Sequence, residues 1–228
     1  MKETLIFLGD SNVDAGRLWE ECADGLGFGF VAELAGKLPE EKFALINRGH
    51  YGFTVRDVWR NLPHAGGEVS GSAPLFPGEE KDSGKRESGA SAAAPATVTV
   101  LAGVNNIPMY FYEDRSTLPA SFREDYSRLL GRIRELWPEA GVILAEPFVF
   151  RRPEEFISWR PLLEQESRVI RELAALHGAE FLPLQECMDR AAEQYGMDAV
   201  TPDGLHLTAI SSRLLAERWL EAFQKKAW

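Results

Sequence analysis

Short apolar runs bounded by turn-forming residues alternate along this chain with longer stretches in which large apolar residues recur at helical spacing. The runs Thr4–Leu8, Phe43–Asn47, Thr97–Ala102, Gly141–Ala145 and Glu180–Leu184 are rich in Val, Ile, Leu and Phe and nearly unbroken by polar residues. Strands buried on both faces of a parallel sheet have this composition, because neither face meets water. The stretches between them predict helices over Phe28–Leu38, Val55–Leu62, Ser121–Trp137, Leu162–His177 and Leu207–Phe223. In the last, Leu207, Ile210, Leu214, Leu215, Arg218 and Trp219 keep helical spacing, and Thr208 stands near the N-cap. Strands alternating with helices predict a three-layer α/β/α sandwich with about five parallel strands.

Ala65–Ala96 breaks the pattern, being dominated by Gly, Ser, Ala, Pro and mixed charge. Such a stretch cannot bury enough apolar surface to offset its ordering entropy, so it is expected to be a flexible insertion in one domain spanning 1–228. It joins a helix end to a strand start, which places it at the sheet edge opposite the ligand face of open α/β folds. Ile107–Leu118 and Phe148–Pro161 follow strand ends and are the expected lid segments.

Composition narrows the partners. The chain has 228 residues, 45% hydrophobic and 26% charged, with a formal net charge of −10. That charge disfavours nucleic-acid phosphates and anionic lipid. Two cysteines, Cys22 and Cys187, exclude a disulfide scaffold and a cysteine-held zinc. The Leu5–Leu8 run is far too short to cross a membrane, so no membrane insertion and a cytoplasmic setting are expected. No phosphate-binding glycine fingerprint follows the first strand.

Chemistry gathers at four strand ends or loops. The first strand ends in Gly9-Asp10-Ser11-Asn12. Ser11 reads there either as a helix N-cap or as a nucleophile. Asn47-Arg48-Gly49-His50-Tyr51-Gly52 follows the second strand, where glycine lets backbone approach a ligand, or simply turns the chain. Gly103-Val104-Asn105-Asn106 ends the third strand and places a carboxamide suited to an oxyanion, or an Asn-rich turn. Asp203-Gly204-Leu205-His206 precedes the last helix, and a carboxylate at that spacing can orient an imidazole as general base. Each motif alone is weak. Together they supply a nucleophile, two oxyanion donors and an oriented base at one sheet edge. Asp203 and His206 lack a nearby third ligand, so no metal is expected, and His50, His64 and His177 have no ligand-spaced partners.

The order Ser, Asp, His is also that of the α/β-hydrolases, but their G-x-S-x-G elbow is absent. All four blocks, from Gly9 to His206, resemble those of the SGNH hydrolases, the GDSL esterase/lipase family, whose fold is a flavodoxin-like sandwich. The stretches Asp14–Arg17, Ile46–Gly49 and Glu146–Phe148 resemble its bacterial lipolytic branch, related to carbohydrate acetylesterases. The resemblance implies Ser11 as nucleophile, with Asp203 and His206 completing the triad. It implies an oxyanion hole from the Ser11 and Gly52 N–H groups and the Asn105 side chain, with Gly49 the less favoured glycine. Asn12 stands where the family name has Leu, a position with no expected catalytic role. Asn106 stands where Asp is usual, in a supporting position.

The expected reaction is hydrolysis of a small-molecule ester through an acyl-enzyme, without cofactor. Short-chain esters, acetylated carbohydrates among them, fit a chain with no long apolar flap. Tyr110, Phe111, Phe148 and Arg151 follow strand ends and are the candidate substrate contacts, with packing as the alternative role for the aromatics. The competing functions are a lysophospholipase- or thioesterase-like hydrolase, acyl transfer to a sugar, and a non-catalytic carbohydrate- or acyl-binding domain.

Overall fold

The computed structural model describes residues 2–62, 94–110 and 118–225. Strands β1 (Glu3–Gly9), β2 (Phe43–Gly49), β3 (Thr97–Leu101), β4 (Gly141–Ala145) and β5 (Glu180–Leu182) form one sheet in the order β2-β1-β3-β4-β5. Every pairing is parallel, with Ile6 opposite Ile46 on one side of β1 and Val98 on the other. The helices are α1 (Ser11–Asp14), α2 (Phe30–Ala35), α3 (Val55–Asn61), α4 (Asn106–Tyr110), α5 (Leu118–Leu136), α6 (Arg160–Leu176), α7 (Gln185–Tyr195), α8 (Met197–Val200) and α9 (Ala209–Lys225).

Strand residues alternate between two cores, as the pleat requires. Ile6, Leu8, Val98, Val100, Val142 and Leu144 face one layer, where Val55 and Val58 of α3, Tyr126 and Leu129 of α5 and Ile170 of α6 pack. Leu5, Phe7, Leu101, Ile143 and Ala145 face the other, against Phe30 of α2, Met188 of α7 and Trp219 of α9. The buried Trp219 indole N–H donates to Thr99 Oγ at 2.9 Å, so the polar atom it carries into that core is satisfied. The fold is thus the three-layer α/β/α sandwich that the apolar runs predict.

The strand forecasts match within one or two residues at each end. Short helices α1, α4 and α8, together with α7, carry too little periodic signal or lie too close to a strand end to be read from the pattern. Residues 94–96 correct the expected insertion boundary. Ala96 N–H donates to Thr4 O at 2.8 Å and Ala96 O accepts from Gly141 N–H at 2.9 Å, so the lead-in to β3 already belongs to the sheet. The rest of that segment lies outside the described residues. No helix among the described residues is long and apolar enough to cross a membrane.

Between β1 and β3 the chain reverses its direction of travel across the sheet. The C-terminal edge at such a switch point is where open α/β sheets leave a crevice.

Candidate active site

Asp10 closes β1 and opens α1. Its Oδ1 accepts the Asn12 N–H at 3.0 Å, and its carbonyl accepts the N–H groups of Val13 and Asp14. Ser11 is the first residue of α1, so its own N–H lies outside the helix's internal bonding. Gly9, just before, is packed so closely that a Cβ would fall 2.0 Å from Leu101 O. Burial raises the Asp10 carboxyl to about pKa 7, against the lowering pull of the Asn12 N–H and of His206.

The loop after β2 is anchored to α1. Asn47 Nδ2 donates to Val13 O at 2.6 Å and to Leu26 O at 2.7 Å, and its Oδ1 accepts the Gly49 N–H at 2.9 Å. Asp14 Oδ1 accepts the N–H groups of Gly16 and Arg17, while its Oδ2 accepts that of Tyr51 at 3.0 Å. Arg17 Nε donates to Gly49 O at 2.6 Å. These bonds account for the Asp14–Arg17 and Ile46–Gly49 stretches in local terms. The Gly49 N–H is already taken, and a Cβ there would meet Asp14 N at 2.1 Å. Gly52 instead is exposed, with φ +76° and open space around it.

Asn105 follows β3 and donates one amide hydrogen to Phe53 O at 3.0 Å, leaving its second donor valence beside the Gly52 loop. Asn106 is buried, and its Oδ1 accepts the Val55 N–H at 3.1 Å, the first residue of α3. An acceptor is all that this bond asks, which explains why a carboxamide serves where a carboxylate was expected.

The last loop brings in the base. His206 Nε2 lies 3.0 Å from Ser11 Oγ, and His206 Nδ1 lies 2.5 Å from Asp203 Oδ2. Asp203 Oδ1 accepts the N–H groups of Leu205 and His206 at 2.9 and 2.8 Å. Partial burial pushes the Asp203 carboxyl up, but the hydrogen bonds from His206 and Leu205 outweigh it and hold the group below its ordinary value. An ionised Asp203 fixes the Nδ1–H tautomer, which frees Nε2 to accept a proton from Ser11.

Ser11, His206 and Asp203 therefore stand in one line, and Asn105 and Gly52 border the same edge. The four substrate candidates fare differently. Tyr110 is buried, and its hydroxyl donates to Glu166 Oε1 at 2.6 Å. Phe148 is buried in the α9-side core, edge-on to Phe150 at 6.1 Å between centroids. Both are corrected to packing residues, because the end of α4 turns Tyr110 onto Glu166 and the chain leaving β4 turns Phe148 into the core. Arg151 is exposed, and Phe111 lies outside the described residues. The segment from Phe148 is held from behind: Gln185 accepts from Val149 N–H and donates to Val149 O, each at 3.1 Å. Glu146 in turn accepts the N–H groups of Leu184 and Gln185 at the start of α7.

Two residues to which the sequence assigns no role stand beside Ser11 and His206. Tyr51 is 70% exposed, with its ring parallel to the His206 imidazole at 5.8 Å; its place beside Gly52 in the second block is the only signal that points to it. Asn12 is buried, and its Nδ2 donates to Leu205 O at 3.1 Å. Among the described residues, no three His, Cys, Asp or Glu side chains cluster as a metal site would need.

A serine in hydrogen-bond reach of an oriented imidazole, at the switch point of a parallel sheet, is the arrangement that serine hydrolases use. The chain belongs to the GDSL-like lipase/acylhydrolase family, whose model matches residues 7–214, and it is a hydrolase acting on ester bonds. No curated protein matches the sequence significantly. Among solved structures, a candidate GDSL-like lipase from Parabacteroides merdae shares 23% identity, with 99% of this chain and 98% of that one covered at a TM-score of 0.76. An α/β hydrolase from the metagenome of Lake Arreo, Spain, shares 24% over 97% and 95% at 0.70. A variant of Axe2, an acetyl xylan esterase from Geobacillus stearothermophilus, shares 22% over 96% and 94% at 0.69. At these identities the likeness speaks for the fold.

Proposed function

We propose that this protein removes short acyl groups, acetyl foremost, from hydroxyls of a small carbohydrate, through an acyl-enzyme on Ser11. The observation that carries the reading is the 3.0 Å approach of His206 Nε2 to Ser11 Oγ, backed by Asp203 on the other ring nitrogen. His206 takes the serine proton as Oγ attacks the ester carbonyl. The Ser11 and Gly52 N–H groups and the Asn105 amide stabilise the oxyanion. His206 then gives the proton to the leaving alcohol, and on the second half-cycle it activates the water that frees the acid.

Tyr51 is the support for a sugar as the alcohol. The leaving oxygen must receive its proton from His206, so the alcohol sits beside that imidazole. The exposed Tyr51 ring lies parallel to it there and offers a flat apolar face with a polar tip, a surface on which a pyranose can stack. A fold shared with an acetyl xylan esterase points the same way.

The test compares p-nitrophenyl esters from acetyl to lauroyl, and acetylated xylo-oligosaccharides, with wild type, Ser11→Ala and Tyr51→Ala. Serine-dependent turnover that falls beyond butyryl, with the oligosaccharide KM raised in Tyr51→Ala and the p-nitrophenyl acetate rate little changed, is the expected result. A preference for long chains moves the assignment to a lysophospholipase- or thioesterase-like enzyme. No turnover by folded wild type leaves a binding domain.

A further inference from the structure

Ser11 and His206 lie 195 positions apart, and the bond between them is the one that catalysis must break. Once Ser11 Oγ carries an acyl group it has no proton to share, and nothing in that bond then keeps His206 in place. A second bond spans the same gap. Asn12, next to the nucleophile, donates from Nδ2 to the carbonyl of Leu205, next to the base, at 3.1 Å.

The surroundings fix both ends of that bond. The Asn12 backbone N–H is held by Asp10 Oδ1 at 3.0 Å, and Leu205 N–H is held by Asp203 Oδ1 at 2.9 Å. The circuit closes through Asp203 Oδ2, His206 Nδ1, His206 Nε2 and Ser11 Oγ, so each reacting group belongs to one hydrogen-bonded ring. Asn12 is buried, and its Oδ1 finds no partner among the described residues. A side chain kept only for packing would gain by being apolar there, since an unpaired buried oxygen is unfavourable.

We infer that Asn12 is a positioning residue for the acyl-enzyme stage: its amide holds the Leu205 carbonyl, and through it His206, above Ser11 after the serine proton has gone. The inference rests on the serine-hydrolase reading above. Acylation begins with the Ser11–His206 bond in place and needs Asn12 less. Deacylation begins without that bond and needs it more. Water attacks the acyl carbonyl as His206 Nε2 takes its proton, the carbon–Oγ bond then breaks, and the proton returns to Ser11 Oγ. A base displaced by a fraction of an ångström slows this step out of proportion to its effect on folding.

The experiment uses Asn12→Leu, close in size, and Asn12→Ala, which fits wherever Asn does, with active sites titrated so that rates refer to competent enzyme. On p-nitrophenyl acetate, kcat is expected to fall about tenfold without a rise in KM, with a stoichiometric p-nitrophenolate burst before a slow steady state. Melting temperature is recorded beside each rate. A kcat per active site within about twofold of wild type in either folded variant overturns the inference. So does a loss of kcat without burst and with raised KM, which marks general damage to the site. Wild-type turnover that survives Ser11→Ala overturns the hydrolase reading and this inference together.

Discussion

Tyr110, at the end of α4, donates its hydroxyl to Oε1 of Glu166 on α6 at 2.6 Å, inside the core beneath the Asn105 loop. The other carboxyl oxygen has no partner among the described residues, and a Cβ on Gly103 would lie 2.9 Å from it. Burial raises the Glu166 carboxyl well above its ordinary value, only partly countered by the Tyr110 hydrogen bond. A carboxyl whose ionisation burial disfavours thus sits under both ends of the segment that presents Asn105.

That upward shift sets a pH dependence. The folded protein keeps the Glu166 proton to a higher pH than the unfolded chain does, so between the two values the folded state binds more protons and stability falls as pH rises. Glu166→Gln keeps an acceptor for Tyr110 and has no proton to lose. Its advantage over wild type should therefore grow as pH rises through and above the ordinary carboxylate range, at up to roughly 1.4 kcal/mol per pH unit where only the unfolded chain is ionised. Urea midpoints across that range provide the check. Parallel curves for the two proteins would mean that the carboxyl is already ionised in the fold.

In the proposed mechanism Asp203 works through the tautomer of His206. Asp203→Asn retains an oxygen for the Leu205 and His206 N–H groups but presents an N–H where His206 Nδ1 needs an acceptor. The ring is then driven to the wrong tautomer, and Nε2 carries a hydrogen toward Ser11. Esterase kcat should drop about 10³- to 10⁴-fold with little change in melting temperature. A folded variant retaining more than about a tenth of wild-type activity would remove Asp203 from the triad.

The fold was legible because burial on both faces leaves a strong mark. Leu5 to Leu8 can be apolar without alternation only if helices cover both sides, and Phe7 and Leu8 do face opposite cores. The candidate site was legible as residue types at strand ends and loops, since a parallel sheet brings its C-terminal edges together whatever the sequence distance between them. Contacts beyond that edge were not. Phe148 and Tyr110 look identical in sequence to solvent-facing aromatics, and only the direction in which the chain leaves β4 and α4 buries them. Asn12 was expected to have no catalytic role, because its partner is a backbone carbonyl, which carries no sequence signature. Tyr51 was missed because stacking on His206 depends on how Asp14 holds its backbone N–H.

Asn105 is tied to the second loop by one of its two amide hydrogens, so its loss should act on catalysis more than on folding. Asn105→Ala removes the proposed side-chain donor to the oxyanion and is expected to lower kcat by about 10²- to 10³-fold, or roughly 3–4 kcal/mol in the barrier. Asn105→Asp tests the sign, because a carboxylate beside a developing oxyanion repels it. That variant should be at least as slow as the alanine one in steady-state assays at neutral pH. An Asp variant faster than the Ala variant would show that Asn105 contributes position and not charge stabilisation.

Gly204 ties the base to the scaffold through the space it does not fill. It lies between Asp203 and His206 with φ +92°, and its carbonyl accepts the Phe150 N–H at 3.0 Å. Its own N–H donates to Thr201 Oγ1 at 2.8 Å. A Cβ here would lie 1.6 Å from the carbonyl oxygen of Arg152, a backbone atom that cannot swing aside. Gly204→Ala must therefore push the 203–206 loop away from the segment after β4, losing the Phe150 bond and moving His206 off Ser11 together. A destabilisation of about 3 kcal/mol or more is expected by urea denaturation, since the substitution combines a steric clash with a left-handed backbone. Activity should be lost even in the fraction that remains folded, as judged by the absence of active-site titration in the native baseline. Wild-type titration in a folded Gly204→Ala variant would mean that the loop can retreat from Arg152 without carrying the base with it.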